Sequence, residues 1–270
     1  MEKNNGNADG PVRALHVLES LAAMRQPAGL LAIAAATGLS KSKAYRALRA
    51  LQNDGFVDRA GRDGYRIGIR GIGLASLIGP RPALLQRARP VINRLAALSS
   101  ETVTLHLRSG AHRVLVLGSD TTDWERRQAV RIGERAPLTT GCSGTVILAW
   151  LPDDEARKVI DGRPVHQQRP TAVGLARIRA DGFAISRSAN HRGINGVAAP
   201  LIDPADGAPL GSVVIAGPEH RLPDHTLYRL ARPLMAACGE LAPALAAVLG
   251  PNSSVREETL NVAVQDFAAP

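Results

Sequence analysis

The 270-residue sequence contains only two cysteines, Cys142 and Cys238. They form neither the dense framework of a disulfide-stabilised secreted domain nor the close spacing of a metal site. Both are therefore expected to be small buried residues of a protein from a reducing compartment. The N-terminal segment lacks the apolar stretch of a secretory signal, and no run of about 18 apolar residues marks a membrane span. We expect a cytoplasmic protein.

Motifs for cofactor or nucleophilic chemistry are incomplete. Gly71 and Gly73 begin a dinucleotide-type glycine pattern, but Ser76 stands where the third glycine belongs. Cys142 and Ser143 follow a glycine but lack the second glycine of a nucleophile elbow. We therefore expect no enzyme and no cofactor, with a hydrolase as a minor alternative. A second minor alternative is a metal site, although its candidate ligands fit no standard spacing: Glu219, His220, Asp224 and His225.

Acidic residues are scarce where basic ones concentrate. The chain has 33 Lys+Arg against 24 Asp+Glu and a net charge of +9. Residues 1–70 hold 11 basic and 6 acidic residues, which leaves 22 and 18 for the much longer remainder. A compact basic segment is typical of a module that binds a polyanion. The length allows two domains, and 45% hydrophobic against 21% charged residues indicates a globular chain.

The most specific local pattern is a tight turn between two predicted helices. An alanine-rich helix ends at Gly38, because glycine enters the left-handed conformation at low cost. Ser40 then supplies an N-cap hydroxyl for a second helix over residues 41–54. Its inner face consists of small and apolar residues at helical spacing: Ala44, Ala47, Leu48 and Leu51.

The outer face of this second helix predicts a contact with double-stranded DNA. Cations near a helix N-terminus are unfavourable by about 0.3–1 kcal/mol, so Lys41 and Lys43 suggest an external polyanion. Arg46 can bond a guanine edge, and Ser42 can bond a base or a phosphate. An ordinary solvated basic face is the alternative. The predicted contact residues are Ser40, Lys41, Ser42, Lys43, Tyr45, Arg46 and Arg49.

A short hairpin follows, and a further helix precedes the turn. Residues 56–59 and 65–68 alternate as strands around Gly61 and Gly64. The upstream helix begins near Pro11, and its buried stripe is predicted at Leu15, Leu18, Leu21 and Ala22. Together these elements predict a winged helix-turn-helix over residues 8–70. Its wing arginines are expected to meet phosphates: Arg59, Arg62 and Arg66.

The rest of the chain predicts a linker helix and an α+β domain. Residues 71–84 carry a weak helical stripe broken by glycine and proline, and residues 85–249 mix strands with helices. A mainly antiparallel sheet is expected, with strands at 102–108, 113–118, 129–132, 183–187, 196–202 and 212–216. Helices are predicted at 85–99, with Leu98 inward, and at 143–151, 153–161, 171–180 and 224–249. Pro233 and Pro243 should kink or split the last helix. Residues 250–270 are expected to be disordered.

From about residue 11 to about 249 the chain resembles the IclR family of bacterial transcriptional regulators. The resemblance lies in the Ala36–Ser42 turn, in Val130–Leu138, in Ile178–Ala184 and in Gly196–Pro200. It implies a winged-helix DNA-binding domain, a linker helix and an effector-binding domain with a GAF-like fold. It also implies a homodimer or homotetramer on a pseudo-palindromic operator, where a small metabolite alters binding.

The resemblance also implies where an effector binds. Three segments build the pocket: the loop and helix start at 139–144, the segment 186–196 and the strand 213–216. Here Arg187 to Arg192 replace acidic residues, and Gly196 stands where a thiol can occur, which favours an effector larger or more apolar than a small keto acid. Control by protein partners without an effector is the alternative. The predicted effector-binding residues are Thr140, Cys142, Ser143, Ser186, Gly196, Val214 and Ala216.

Overall fold

A computed structural model describes residues 10–61, 64–78, 83–119, 132–162, 170–189 and 192–250. The chain divides into two compact units, residues 1–82 and 83–270. Three predictions fall wholly or mostly outside the described residues: the wing arginine Arg62, the strand at 129–132 and the disordered tail.

The first unit contains four helices and a two-stranded hairpin among its described residues. In chain order they are α1 (Gly10–Ala23), α2 (Leu30–Thr37), α3 (Lys41–Asn53), β1 (Val57–Ala60), β2 (Gly64–Ile67) and α4 (Ile69–Ile78). The core beneath them is formed by side chains with no more than 1% exposure: Val17, Leu21, Ile33, Leu48 and Tyr65. The winged helix-turn-helix order expected from the sequence is therefore present.

The buried stripe of α1 agrees with the prediction in part. Leu21 is fully buried and Leu18 packs partly buried against the core, but Leu15 is 56% exposed and Ala22 is also exposed. Val17 takes the inward position four residues before Leu21, which is the spacing of one helical face. The leucine spacing thus identified Leu18 and Leu21 correctly but placed Leu15 and Ala22 in the core where they are exposed.

In the described part of the second unit, six strands form an antiparallel sheet with helices on both faces. Its strands are β3 (Thr102–Ser109), β4 (His112–Gly118), β5 (Arg135–Pro137), β6 (Ala184–Arg187), β7 (Ile194–Ile202) and β8 (Pro209–Pro218). They lie in the order β5-β4-β3-β8-β7-β6. Its helices are α5 (Ala83–Ser99), α6 (Gly141–Leu148), α7 (Asp153–Asp161), α8 (Ala172–Asp181) and α9 (Asp224–Leu249). The expected α+β class is confirmed.

Two hydrophobic clusters cover opposite faces of this sheet. Leu105, Val213 and Ile215 pack with α5 and α9 on one face. Val214 and Ala198 pack with α6 on the other, because successive strand residues point to opposite sides. The position of α6 therefore decides which strand residues can form a site with it.

Three details of the helices correct the sequence expectations. Helix α6 spans Gly141–Leu148 rather than 143–151. Leu98 is 56% exposed although it was expected inward. Helix α9 is unbroken at Pro233 and Pro243, so the alternative of a split helix is wrong. Buried residues lie on both sides of each proline, among them Leu230, Leu234, Leu241 and Leu245. Its length and hydropathy would suit a membrane span, but this apolar side lies in the core.

Candidate DNA-binding surface and effector site

The turn between α2 and α3 has the capping chemistry that the sequence predicts. Gly38 adopts φ of 67°, and its N–H donates to carbonyls of the last turn of α2. The Ser40 hydroxyl accepts a hydrogen bond from the Lys43 N–H at 3.3 Å, which caps α3. The Thr37 hydroxyl donates to the Ile33 carbonyl at 2.8 Å and closes α2. These local bonds set the direction in which α3 leaves the turn.

Helix α3 has a buried face and a basic face. The predicted inner residues Ala44, Ala47, Leu48 and Leu51 are all buried. Its first turn contains no acidic residue. The predicted contact residues outside the core are exposed, apart from the half-buried Lys43: Ser40, Lys41, Ser42, Tyr45, Arg46 and Arg49. The predicted set thus lies on one accessible side.

The two described wing arginines differ in how firmly their side chains are held by contacts within the protein. Arg59 donates to the Tyr65 hydroxyl at 2.8 Å and to the Gly61 carbonyl at 3.2 Å, and its guanidinium lies 4.8 Å from the Tyr65 ring centre. Arg66 is exposed and lies 3.8 Å from the Asp58 carboxylate. A surface pair at this distance contributes little and breaks easily. Arg66 is therefore the more available of the two.

The wing is joined to the loop between α1 and α2. Ala28 and Tyr65 exchange two backbone hydrogen bonds of 2.8 and 2.9 Å. The Gln26 side chain also accepts from the Ile67 N–H at 2.8 Å. Gly64 adopts φ of 131°, and a Cβ there would lie 2.3 Å from the Ala28 carbonyl oxygen. Only glycine fits this contact.

A contact that sequence reasoning missed closes the far end of α3. Arg70 on α4 donates to the Asp54 carbonyl at 3.1 Å, and its guanidinium lies 4.6 Å from the Phe56 ring centre. A cation near a helix C-terminus is favourable for the helix dipole. The bond spans 16 residues, so no short-range pattern indicates it.

Strand register places four of the predicted effector residues beside one another. Ser186 pairs with Gly196, and Gly196 pairs with Ala216. Directly paired residues share a face of the sheet, and Val214 is two residues from Ala216 on that face. A Cβ built at Gly196 would lie 3.4 Å from the Cys142 sulfur of α6. Cys142 therefore packs over this apolar strip.

The other two predicted effector residues lie at the start of α6. Thr140 is the N-cap residue, but its hydroxyl donates to the Pro137 carbonyl at 3.0 Å instead of accepting from the helix. Ser143 is buried, and its carbonyl accepts from the Ser212 hydroxyl at 3.0 Å. That bond ties the first turn of α6 to β8.

A polar cluster on the same sheet face was missed by the sequence analysis. Ser212 pairs with His106, and Arg108 pairs with Arg113. The buried Arg108 guanidinium donates to the buried Glu155 carboxylate of α7. The sequence of the hairpin at 102–118 could have indicated this cluster. Strand alternation places Arg108 and Arg113 on the interior face, where both are buried.

Burial changes the protonation of two groups near this cluster. It lowers the pKa of His106 to about 3, with the positive charge of Arg113 as the second cause. It raises the pKa of Cys142 to about 11, against the smaller opposing effect of Arg113. At neutral pH the imidazole is therefore neutral and the thiol keeps its proton, which makes Cys142 a poor nucleophile.

Comparison with known proteins places both units in one family. Residues 81–242 match the model described as "Bacterial transcriptional regulator IclR C-terminal", and residues 11–61 match the "IclR helix-turn-helix domain". The protein described as "Probable transcriptional regulator SauR" of Cupriavidus necator is 29% identical over 210 residues, covering 74% of this chain and 82% of its own length. The transcriptional repressor IclR of Escherichia coli is 24% identical over 246 residues, covering 87% and 89%.

Solved structures show the same fold. A regulator from Alicyclobacillus acidocaldarius superposes with a TM-score of 0.69 at 20% identity, covering 88% of this chain and 99% of its own. The Thermotoga maritima IclR gives a TM-score of 0.65 at 23% identity, covering 87% and 98%. These relatives and family models describe regulators rather than enzymes. The chain belongs to the IclR family of transcriptional regulators and carries that family's helix-turn-helix DNA-binding domain.

Proposed function

We propose that this regulator binds a pseudo-palindromic operator as a homodimer or a pair of dimers, with α3 in the major groove. The observation that carries the proposal is the exposed basic side of a helix capped by Ser40, with no acid in its first turn. Phosphates would supply the negative charge that this helix start lacks. Two-fold symmetry of the protein would then be matched by two half-sites about one helical turn apart or a multiple of it.

Within α3 the side chains have different roles. Arg46 and Ser42 lie one turn apart on the same side and read base edges. Lys41, Lys43 and Arg49 hold the helix on phosphates, as does Arg66 of the wing. Tyr45 is 42% exposed and gives a further phosphate or sugar contact. Arg59 mainly stiffens the wing through its bonds to Tyr65 and Gly61.

A small-molecule effector modulates this DNA binding through the second unit. Support comes from the position of Cys142 over the strip formed by Ser186, Gly196, Val214 and Ala216. These residues come from the three segments that the family resemblance implies for an effector pocket. Its apolar side chains suit a ligand larger or more apolar than a small keto acid. Binding there would change the dimer geometry, and with it the spacing of the two α3 helices.

Footprinting on the DNA upstream of the protein's own gene tests the operator part. We expect two protected half-sites related by a two-fold axis, and loss of protection when Arg46 and Arg49 are both changed to alanine. The double variant Arg157→Ala with Arg177→Ala also removes two positive charges, from exposed helix positions of the second unit, and serves as the matched control. Equal protection by all three proteins would show that α3 is not the reader.

A further inference from the structure

The C-terminal end of α3 takes its charge compensation from another helix. The last turn of α3 contains no basic residue, and its C-cap residue is the acid Asp54. A helix C-terminus carries partial negative charge, so an acid there is unfavourable and a cation is favourable. The cation is Arg70 of α4, whose guanidinium donates to the Asp54 carbonyl at 3.1 Å and lies 3.5 Å from the Asp54 carboxylate.

Backbone contacts bring the start of α4 against the residues that follow α3. The Gly68 N–H donates to the Phe56 carbonyl at 2.8 Å, and the Arg70 N–H donates to the Gly55 carbonyl at 3.1 Å. A Cβ at Gly68 would lie 2.4 Å from the Gly55 carbonyl oxygen, so only glycine allows this approach. The backbone of Arg70 is therefore placed beside the end of α3 independently of its own side chain.

Phe56 holds the Arg70 side chain in one orientation. The guanidinium lies 4.6 Å from the Phe56 ring centre, which is a cation–π contact. Phe56 is half-buried against the core of the first unit, and its N–H donates to the carbonyl of Leu51 in α3 at 2.9 Å. The guanidinium thus lies between an anchored ring and the last turn of the helix.

The magnitude of the ion pair shows that its main effect is not on stability. The side chains of Arg70 and Asp54 are 61% and 70% exposed, and such a surface pair contributes little. Position is more sensitive. The 13 residues of α3 span about 20 Å, so with the first turn held by the Ser40 cap, Arg46 moves by about two fifths of any displacement of the last turn. A hydrogen bond to a base edge tolerates about 0.5 Å, which a displacement of about 1.5 Å at the last turn already exceeds.

We propose that Arg70 is a positioning residue for DNA recognition, which fixes the last turn of α3 to α4 and so sets the angle at which Arg46 meets a base pair. The inference rests on the proposed role of α3 as the reading helix. It adds a residue that acts without touching DNA, because its guanidinium is engaged by Asp54 and Phe56.

The specificity ratio of the full-length Arg70→Gln variant tests this role. Affinity is measured for a duplex carrying the footprinted half-sites and for a scrambled duplex of the same length. The ratio should fall by at least about fivefold, the discrimination of one weak base contact. Arg177→Gln is the matched control, because Arg177 also forms an exposed ion pair of 3.5 Å, with Asp181. An unchanged ratio in Arg70→Gln, or an equal fall in Arg177→Gln, would overturn the proposal.

Two other roles of Arg70 give different results. If its guanidinium bound a phosphate, Arg70→Gln would weaken both duplexes alike and reduce the salt slope by about one. If it only stabilised the fold, both duplexes would lose affinity alike and the melting temperature would fall. Either result, with the ratio unchanged, contradicts a positioning role.

Phe56→Leu keeps the charge of Arg70 but removes the ring that orients it. The specificity ratio should therefore fall in this variant also, and the double variant with Arg70→Gln should fall by less than the product of the two single effects, because both act through one contact. A full ratio in Phe56→Leu, or falls that simply multiply, would contradict the proposal.

Hydrogen exchange of the free protein needs no operator. The Phe56 N–H, bonded to the Leu51 carbonyl, should exchange faster in Arg70→Gln because the last turn of α3 is released. The Ala44 N–H, bonded to the Ser40 carbonyl at the other end of the helix, should keep its rate. An unchanged rate at Phe56, or an equal acceleration at both amides, would count against Arg70 as the residue that holds this end.

Arg46→Ala separates this proposal from the broader one. If Arg46→Ala lowers the specificity ratio and Arg70→Gln does not, the proposed function stands and the positioning role fails. If Arg46→Ala leaves the ratio unchanged while the Phe56 N–H exchanges faster in Arg70→Gln, the reading role of α3 fails. The positioning role then fails with it, although Arg70 still holds the end of the helix.

Discussion

Arg108 and Arg113 are directly paired across β3 and β4, and both are buried on the side of the sheet that α6 covers. Arg108 forms an ion pair with Glu155, whose side chain is 8% exposed. Arg113 bonds only a carbonyl and a hydroxyl among the described residues. Two adjacent buried guanidinium groups therefore differ in their partners: Arg108 has a carboxylate, and Arg113 has only neutral acceptors. Mutation of the two arginines should therefore have different effects on stability.

Breaking the Arg108–Glu155 pair should be strongly destabilising. Glu155→Ala leaves a buried guanidinium without its carboxylate, and we expect a loss of about 3–5 kcal/mol in the free energy of unfolding. The double variant Arg108→Met with Glu155→Leu should recover most of this loss. Urea unfolding measures both. A loss below about 1 kcal/mol for Glu155→Ala would show that the pair is effectively solvated.

The stability of the second unit should fall as the pH drops below about 6.5. Burial depresses the pKa of His106 to about 3, so between these values the unfolded chain binds a proton that the folded chain does not. Unfolding therefore becomes easier by up to about 1.4 kcal/mol per pH unit, and the effect vanishes above the unfolded pKa. Between pH 7 and pH 5, the free energy of unfolding of His106→Gln should fall by about 2 kcal/mol less than that of the wild type. Identical pH profiles would contradict this assignment.

Two substitutions on α3 should have distinguishable effects on operator binding. Arg46→Ala should cost about 1–3 kcal/mol and relax specificity at one base pair. Lys43→Ala should weaken all sequences alike and reduce the salt slope by about one. The measurement is a mobility-shift titration over single-base operator variants at several salt concentrations, with Arg177→Ala as control. A uniform loss for Arg46→Ala would reassign that residue to the phosphates.

Gly64→Ala should disturb the wing more than Gly61→Ala. Both glycines have positive φ, which costs about 1–2 kcal/mol for alanine. Only at Gly64 would the new Cβ also meet backbone, 2.3 Å from the Ala28 oxygen, whereas Gly61 has nothing within 4 Å. Hydrogen exchange of the Tyr65 amide, which donates to Ala28, should accelerate far more in Gly64→Ala. Equal exchange rates in the two variants would mean that the wing accommodates the Cβ at position 64 without a loss of stability.

Local chemistry was predictable from the sequence, and long-range pairing was not. Gly38 and Ser40 act on groups a few residues away, so their roles follow from the residue types and their spacing. The partner of Arg108 lies 47 residues along the chain, and only strand register brings the two together. The predicted burial of Leu15 was wrong for a related reason. Helical periodicity identifies an apolar stripe, but the packing of neighbouring elements decides which of its residues are buried.

The bond exchange between Ala28 and Tyr65 fixes the wing to the body of the first unit. In the operator complex that we propose, a wing held in this way has little freedom to follow irregularities in the duplex, so most of the adjustment would fall on the DNA. Operators with flexible pyrimidine–purine steps near the wing should therefore be preferred, even at base pairs that no side chain touches. Specificity would then depend partly on the deformability of the DNA, through a backbone contact between Ala28 and Tyr65, neither of which is a proposed base-reading residue.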